Sequence, residues 1–295
     1  MNAVAEWLVA RPLNAIVGLA AAQSLPMVGF LSGAILVYLV LQQGIRLALL
    51  EAAIAGALVV GLALATGLAL EPKVAALASV WVPALIMSLL LGSCRSLTLA
   101  LQVTVIIMVV SVLMFLAIAG NPVDYWTTFL TALVDAWREA GLNEQADLVA
   151  GQVEALAEHM TVWVAFISYG FAAVMLLLGY ALYRRGPGEV RDYGRFCDLN
   201  LGRVLAGVMA VTSVVAFLTQ QAWLQSVAFV MFAVFSLQGV AIMHWLHAQG
   251  RIPVFLLVLM YGTMVVLSPI MVTAMAVLGY IDAWFNLRRY RVRPV

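Results

Sequence analysis

From Arg46 to Ala119 the chain is three apolar runs, Arg46 to Leu70, Val74 to Leu91 and Leu97 to Ala119. Only Glu71-Pro72-Lys73 and Gly92-Ser93-Cys94-Arg95 separate them. A helix of about 20 apolar residues crosses a hydrocarbon core about 30 Å thick, and separators this short leave room only for turns. Lipid offers no water to free backbone groups, so only helices and closed barrels can span it. Barrel-type alternation is absent. Composition agrees: 10% of residues are charged, against about 25% in soluble domains. The fold class is therefore all-α, a polytopic transmembrane helical bundle.

Two further apolar runs are too long for one straight crossing. Leu13 to Gln43 would measure about 45 Å and Pro253 to Phe285 about 50 Å as single helices. Each is interrupted midway, at Gln23-Ser24-Leu25-Pro26 and at Leu267-Ser268-Pro269. The remaining spans are Met160 to Tyr183, Val204 to Leu218 and Trp223 to Leu246. The start carries Glu6 and one Arg11 rather than a positive cluster, and is read as retained rather than cleaved.

Charge sets the topology, because arginine and lysine in short loops stay cytoplasmic. The connector Arg184-Arg185-Gly186-Pro187-Gly188-Glu189-Val190-Arg191-Asp192-Tyr193-Gly194-Arg195 is the strongest internal basic segment. With one crossing for each long end run, eight in all, the connector and the arginine-rich tail lie on opposite sides. With both runs folded back at their prolines, ten crossings place 13 of the 15 positive charges inside, leaving Lys73 and Arg138 outside. Ten crossings with both termini cytoplasmic is the arrangement adopted.

The organisation expected is an N-terminal membrane half over 1–119, an outer loop over 120–159, and a C-terminal membrane half over 160–295 with its cytoplasmic connector over 184–203. The outer loop holds Asp124, Asp135, Glu139, Glu144, Asp147, Glu154 and Glu158, half of the chain's acids, with Arg138 as its arginine. Val123, Trp126, Phe129, Leu133 and Trp137 recur at helical spacing there, which predicts amphipathic helices on the outer face.

Prolines that interrupt apolar segments in both halves point to a transporter site. The substrate-binding candidates are accordingly Gln23, Ser24, Pro26, Ser268 and Pro269, joined by the intramembrane polar residues Glu51, Gln102 and Gln238. Arg184, Arg185, Arg191, Arg195, Asp282, Arg288 and Arg289 are candidates for contact with a protein partner or lipid, with an Asp282 ion pair to Arg288 or Arg289 at a helix end as the plainer reading. Gly29-Phe30-Leu31-Ser32-Gly33 reads as close helix packing. Cys94 and Cys197 stand alone, and His244 and His247 lack a third ligand, so neither metal nor cofactor is expected. No catalytic motif is present, and the chain is read as non-enzymatic. A net charge of +1 argues against nucleic acid as a partner.

The ending Gly279-Tyr280-Ile281-Asp282-Ala283-Trp284-Phe285-Asn286-Leu287-Arg288-Arg289, together with Met243-His244-Trp245 and Leu25-Pro26-Met27-Val28-Gly29-Phe30-Leu31-Ser32-Gly33, resembles the YybS-like family of bacterial inner-membrane proteins. The first half, with its turn Gln43-Gly44-Ile45-Arg46, is similar in turn to the substrate-binding S components of energy-coupling-factor transporters. These resemblances imply a multi-pass protein of the bacterial inner membrane that captures a small polar solute from the outer side. The long acidic outer loop and the extra spans depart from a plain S component. The expected function is a transporter or its substrate-binding subunit, and the rival is a scaffold that recruits a protein partner.

Overall fold

A computed structural model describes residues 2–25 and 28–289, excepting the side chains of Asn2, Ala222, Val265, Ser268 and Arg289. Thirteen α-helices and no strands occur among the described residues. They fall into two compact units, Met1–Thr104 with Gly170–Leu199, and Val105–Tyr169 with Asn200–Val295.

The first unit holds α1 (Asn2–Ala10), α2 (Pro12–Ser24), α3 (Phe30–Gln43), α4 (Ile45–Ala65), α5 (Leu70–Cys94), the start of α6 (Leu97–Ala119) and the end of α9 (Val153–Tyr183). Arg11 is extended and Pro12 occupies the first turn of α2, so the chain bends by 116° between α1 and α2. Proline suits that position because its missing N–H would be unpaired there anyway. The long first run is indeed interrupted: α2 stops at Ser24, α3 starts at Phe30, and the two pack against each other and against α4. Gly44, at φ +91°, separates α3 from α4. Tyr38, Leu36, Val37 and Leu39 of α3 are fully buried, and the Tyr38 hydroxyl donates to the Ala5 carbonyl of α1 at 2.7 Å. The expected tight contact at Gly33 is present, since a Cβ there would lie 2.1 Å from Met175 Sδ on α9.

The second unit holds the rest of α6 and α9, with α7 (Pro122–Glu139), α8 (Asn143–Ala150), α10 (Gly202–Thr219), α11 (Ala222–Ala248), α12 (Val254–Val266) and α13 (Ser268–Phe285). The most apolar stretch of α11 is 72% buried against 17% for α10, which makes α11 the centre of this unit. Its closest partner is α13. The second long run breaks at Leu267, where α12 gives way to α13.

By length and composition six helices among the described residues can cross a membrane, α4, α5, α6, α9, α10 and α11, or seven if the bent α1–α2 pair counts as one. A tenfold crossing needs α2, α3, α12 and α13 as well, at 13, 14, 13 and 18 residues. The division at 159/160 falls inside α9, which runs unbroken over 31 residues. No proline lies between Val153 and Tyr183, so nothing stops the amphipathic stretch from joining the apolar one.

Candidate functional site

At the break between α2 and α3 two polar side chains and a backbone carbonyl converge on one hydroxyl. Ser32, fully buried on α3, has its Oγ 2.5 Å from Gln23 Oε1 and 2.8 Å from the Gly29 carbonyl. The indole N–H of Trp81 on α5 donates to the same Oγ at 3.0 Å. A serine hydroxyl has one proton and two lone pairs. Donating to Gly29 and accepting from Trp81 and from a Gln23 amide turned N for O satisfies all of them. Of the sequence candidates here, Gln23 belongs to this group, while Ser24 is exposed and bonds back to its own helix at Ala20 O, 2.8 Å away. Pro26 lies outside the described residues. Ser32 and Trp81 were not singled out from sequence, although Ser32 sits inside the G-x-x-x-G stretch.

Glu51 lies elsewhere in the first unit's hydrogen bonding. It is buried on α4, 2% exposed, and Gln43 Nε2 donates to its Oε2 across the Gly44 turn. Arg46 is exposed, and no cation stands within ion-pair distance of Glu51 among the described residues. Gln102 is half-buried on α6.

The second unit gathers Gln238, Asp282 and Arg288. Asp282 is fully buried, and its Oδ2 accepts from Gln238 Nε2 at 2.7 Å and Arg288 Nη2 at 2.6 Å. Gln238 Oε1 accepts the backbone N–H of Leu201 at 2.7 Å, so that amide is engaged at both ends. Asn286 at φ 51° ends α13 and turns Leu287–Arg289 into a short 3-10 turn, which carries Arg288 back over Asp282. The aspartate therefore faces the interior rather than a lipid or partner surface. Pro269 is exposed at the start of α13, and its carbonyl accepts from Thr273 Oγ1 at 2.7 Å. The side chains of Ser268 and Arg289 are outside the described set.

The connector is held down by tyrosines, and Arg184 lies over the Tyr180 ring at 6.0 Å. Tyr180, Tyr183 and Tyr193 are buried and lie ring against ring. The Tyr180 hydroxyl donates to Asp192 at 3.0 Å and accepts the Tyr193 N–H at 2.7 Å, while Tyr183 accepts the Arg191 N–H at 3.0 Å. The Gly194 N–H, with help from the Tyr180 hydroxyl, holds the Asp192 carboxyl below its ordinary range. Arg184, Arg185, Arg191 and Arg195 are all exposed, Arg195 pairing with Asp198 at 2.9 Å.

In the acidic segment all seven carboxylate residues are exposed. Arg138 pairs with Asp147 at 3.0 Å, linking α7 to α8, and Trp126 donates to Thr161 on α9 at 2.8 Å. A cavity of about 490 Å³ opens between α7 and the start of α9, lined by Thr127, Thr131, Asp135, Arg138, Gln152 and Glu154. No group of three metal-capable side chains occurs among the described residues. His244 instead meets the Tyr261 hydroxyl at 2.7 Å, and His247 the Ile252 carbonyl at 3.0 Å.

The helical membrane architecture is matched by the comparison with known families. Residues 13–283 fit the family described as "Predicted membrane protein (DUF2232)", which agrees with the expected YybS-like membrane family. No curated protein and no solved structure matches the chain. With nearly its whole length covered, this chain belongs to that family of multi-pass membrane proteins.

Proposed function

We propose that this protein is a non-enzymatic membrane transporter, or the substrate-binding membrane subunit of one, for a small polar solute. The observation that carries the reading is the Gln23–Ser32–Trp81 group at the break between α2 and α3. A break between apolar helices brings polar side chains together where an unbroken helix would present only hydrocarbon. In the ten-crossing arrangement this break faces the outer side, and the exposed arginines of the connector stand at the cytoplasmic surface. The first unit is thereby read as the binding module of a bacterial inner-membrane system.

The test is thermal unfolding of purified protein against a panel of small polar metabolites. A ligand that binds only the folded state raises its stability by mass action. The reading requires at least one solute class to raise the midpoint, with the rise lost in Ser32→Ala. A flat response across amino acids, nucleosides, vitamins and sugars contradicts it.

A scaffold role is the second reading, supported by the exposed acids of α7 and α8. Deleting Val123 to Glu158 would then release a stoichiometric partner that crosslinks to the wild-type protein in membranes.

A further inference from the structure

The carboxylate of Glu51 has no counter-charge among the described residues. It is buried on α4, a helix that is otherwise apolar beyond Arg46, and its hydrogen-bond donor is the neutral amide of Gln43. A bare carboxylate withdrawn from water costs far more than one neutral hydrogen bond returns.

The elements packed most closely on α4, which are α2, α3 and α5, supply no neutralising group among the described residues. Helix α2 has no titratable side chain along Pro12–Ser24. On α3 the Tyr38 hydroxyl is spent on Ala5 O. On α5 the titratable groups are Glu71 and Lys73 in the first turn and Cys94 in the last, followed by exposed Arg95. Arg46 on α4 itself is exposed, and none of these cations lies within 4.0 Å of the Glu51 carboxylate among the described residues.

We infer that Glu51 and Gln43 form a site for a monovalent cation, a proton or a sodium ion, that neutralises the Glu51 carboxylate within the membrane. Gln43 serves either occupant by holding Oε2 in place through its amide N–H, while its own amide oxygen is available as a second ligand to sodium. An intramembrane carboxylate with a dissociable cation is what a coupled transporter uses to tie its cycle to an ion gradient. The site itself is independent of any carried solute, and its test uses none.

Two readouts on purified, lipid-reconstituted protein separate the occupants. Infrared difference spectra across a pH titration report a protonated carboxyl, and thermal unfolding in sodium chloride against choline chloride at matched ionic strength reports sodium. The proton arm is supported by a carboxyl band that titrates in wild type, is lost in Glu51→Gln, and has its midpoint moved by Gln43→Leu. The sodium arm is supported by a sodium-dependent rise in the unfolding midpoint that is lost in Glu51→Gln. Glu51→Gln keeps the shape and removes the charge, so a folded variant is expected, and circular dichroism verifies it. A wild type with neither a titrating carboxyl band nor a sodium response attributable to Glu51 overturns the inference, whatever the solute panel shows.

Discussion

Gly239 on α11 and Gly279 on α13 bring two helix backbones into direct contact. A Cβ on Gly279 would lie 2.0 Å from the Phe235 carbonyl oxygen and 2.8 Å from the Gly239 nitrogen, and one on Gly239 would lie 2.0 Å from the Met275 carbonyl oxygen. Lipid tails are as apolar as leucine, so helices in a bilayer gain by close packing rather than by hiding from water. Gly279→Ala has backbone, not a yielding side chain, in its way. It is expected to lower stability by about 3 kcal/mol, at the upper end for overpacking, as measured by unfolding of the purified protein. An unchanged stability would show that α11 and α13 do not cross at these glycines.

The polar group at the first break makes a graded prediction. Trp81→Phe keeps the ring and removes the N–H that reaches Ser32. A loss of about 1 kcal/mol in stability is expected for one neutral hydrogen bond. For a solute that shifts wild type, a loss of that size in binding weakens affinity about fivefold. Equal binding by both proteins would remove Trp81 from the site.

The buried pair of Asp282 and Arg288 behaves asymmetrically. Arg288→Ala strands a fully buried carboxylate and is expected to cost about 3–5 kcal/mol. Asp282→Asn combined with Arg288→Met removes both charges and should recover much of that loss, because Gln238 can still bond the new amide. A double variant as unstable as the single would show that the ion pair itself, and not the unpaired charge, governs stability.

Acid should loosen the connector through Asp192. Its folded carboxyl titrates below the ordinary range, chiefly because of the Gly194 N–H and then the Tyr180 hydroxyl. Stability from that carboxylate is present above the unfolded value, near 4, and is lost as pH falls through the folded value. Protection of amides 184–198 from hydrogen exchange, taken relative to the intrinsic rate at each pH, should fall in that acid window in wild type. Asp192→Asn should show low protection at every pH.

The helices and both breaks were legible in the sequence because length, proline and apolar content act locally. Both over-long runs are divided where the residues said, α2 from α3 and α12 from α13. Partnerships between distant segments were not. Nothing in the residues around Ser32 shows that Trp81, 49 positions on, would reach it. Asp282 looked interfacial because it sits near a helix end. What buries it is the left-handed turn at Asn286 and the amide of Gln238, 44 positions away. The tyrosine clamp was not legible either: the hold of Tyr180 and Tyr183 on Asp192, Tyr193 and Arg191 required the fold.

The account rests most heavily on the first apolar run folding back at the outer face. Leu25, exposed at that break, is the place to probe it. In a background lacking Cys94 and Cys197, both free thiols, Leu25→Cys is treated in intact cells with a membrane-impermeant thiol reagent, beside a Gly188→Cys control in the connector. The account predicts labelling of position 25 from outside, and of position 188 only after the membrane is opened. Labelling of position 25 solely from the cytoplasmic side would contradict both the topology and the site built on it.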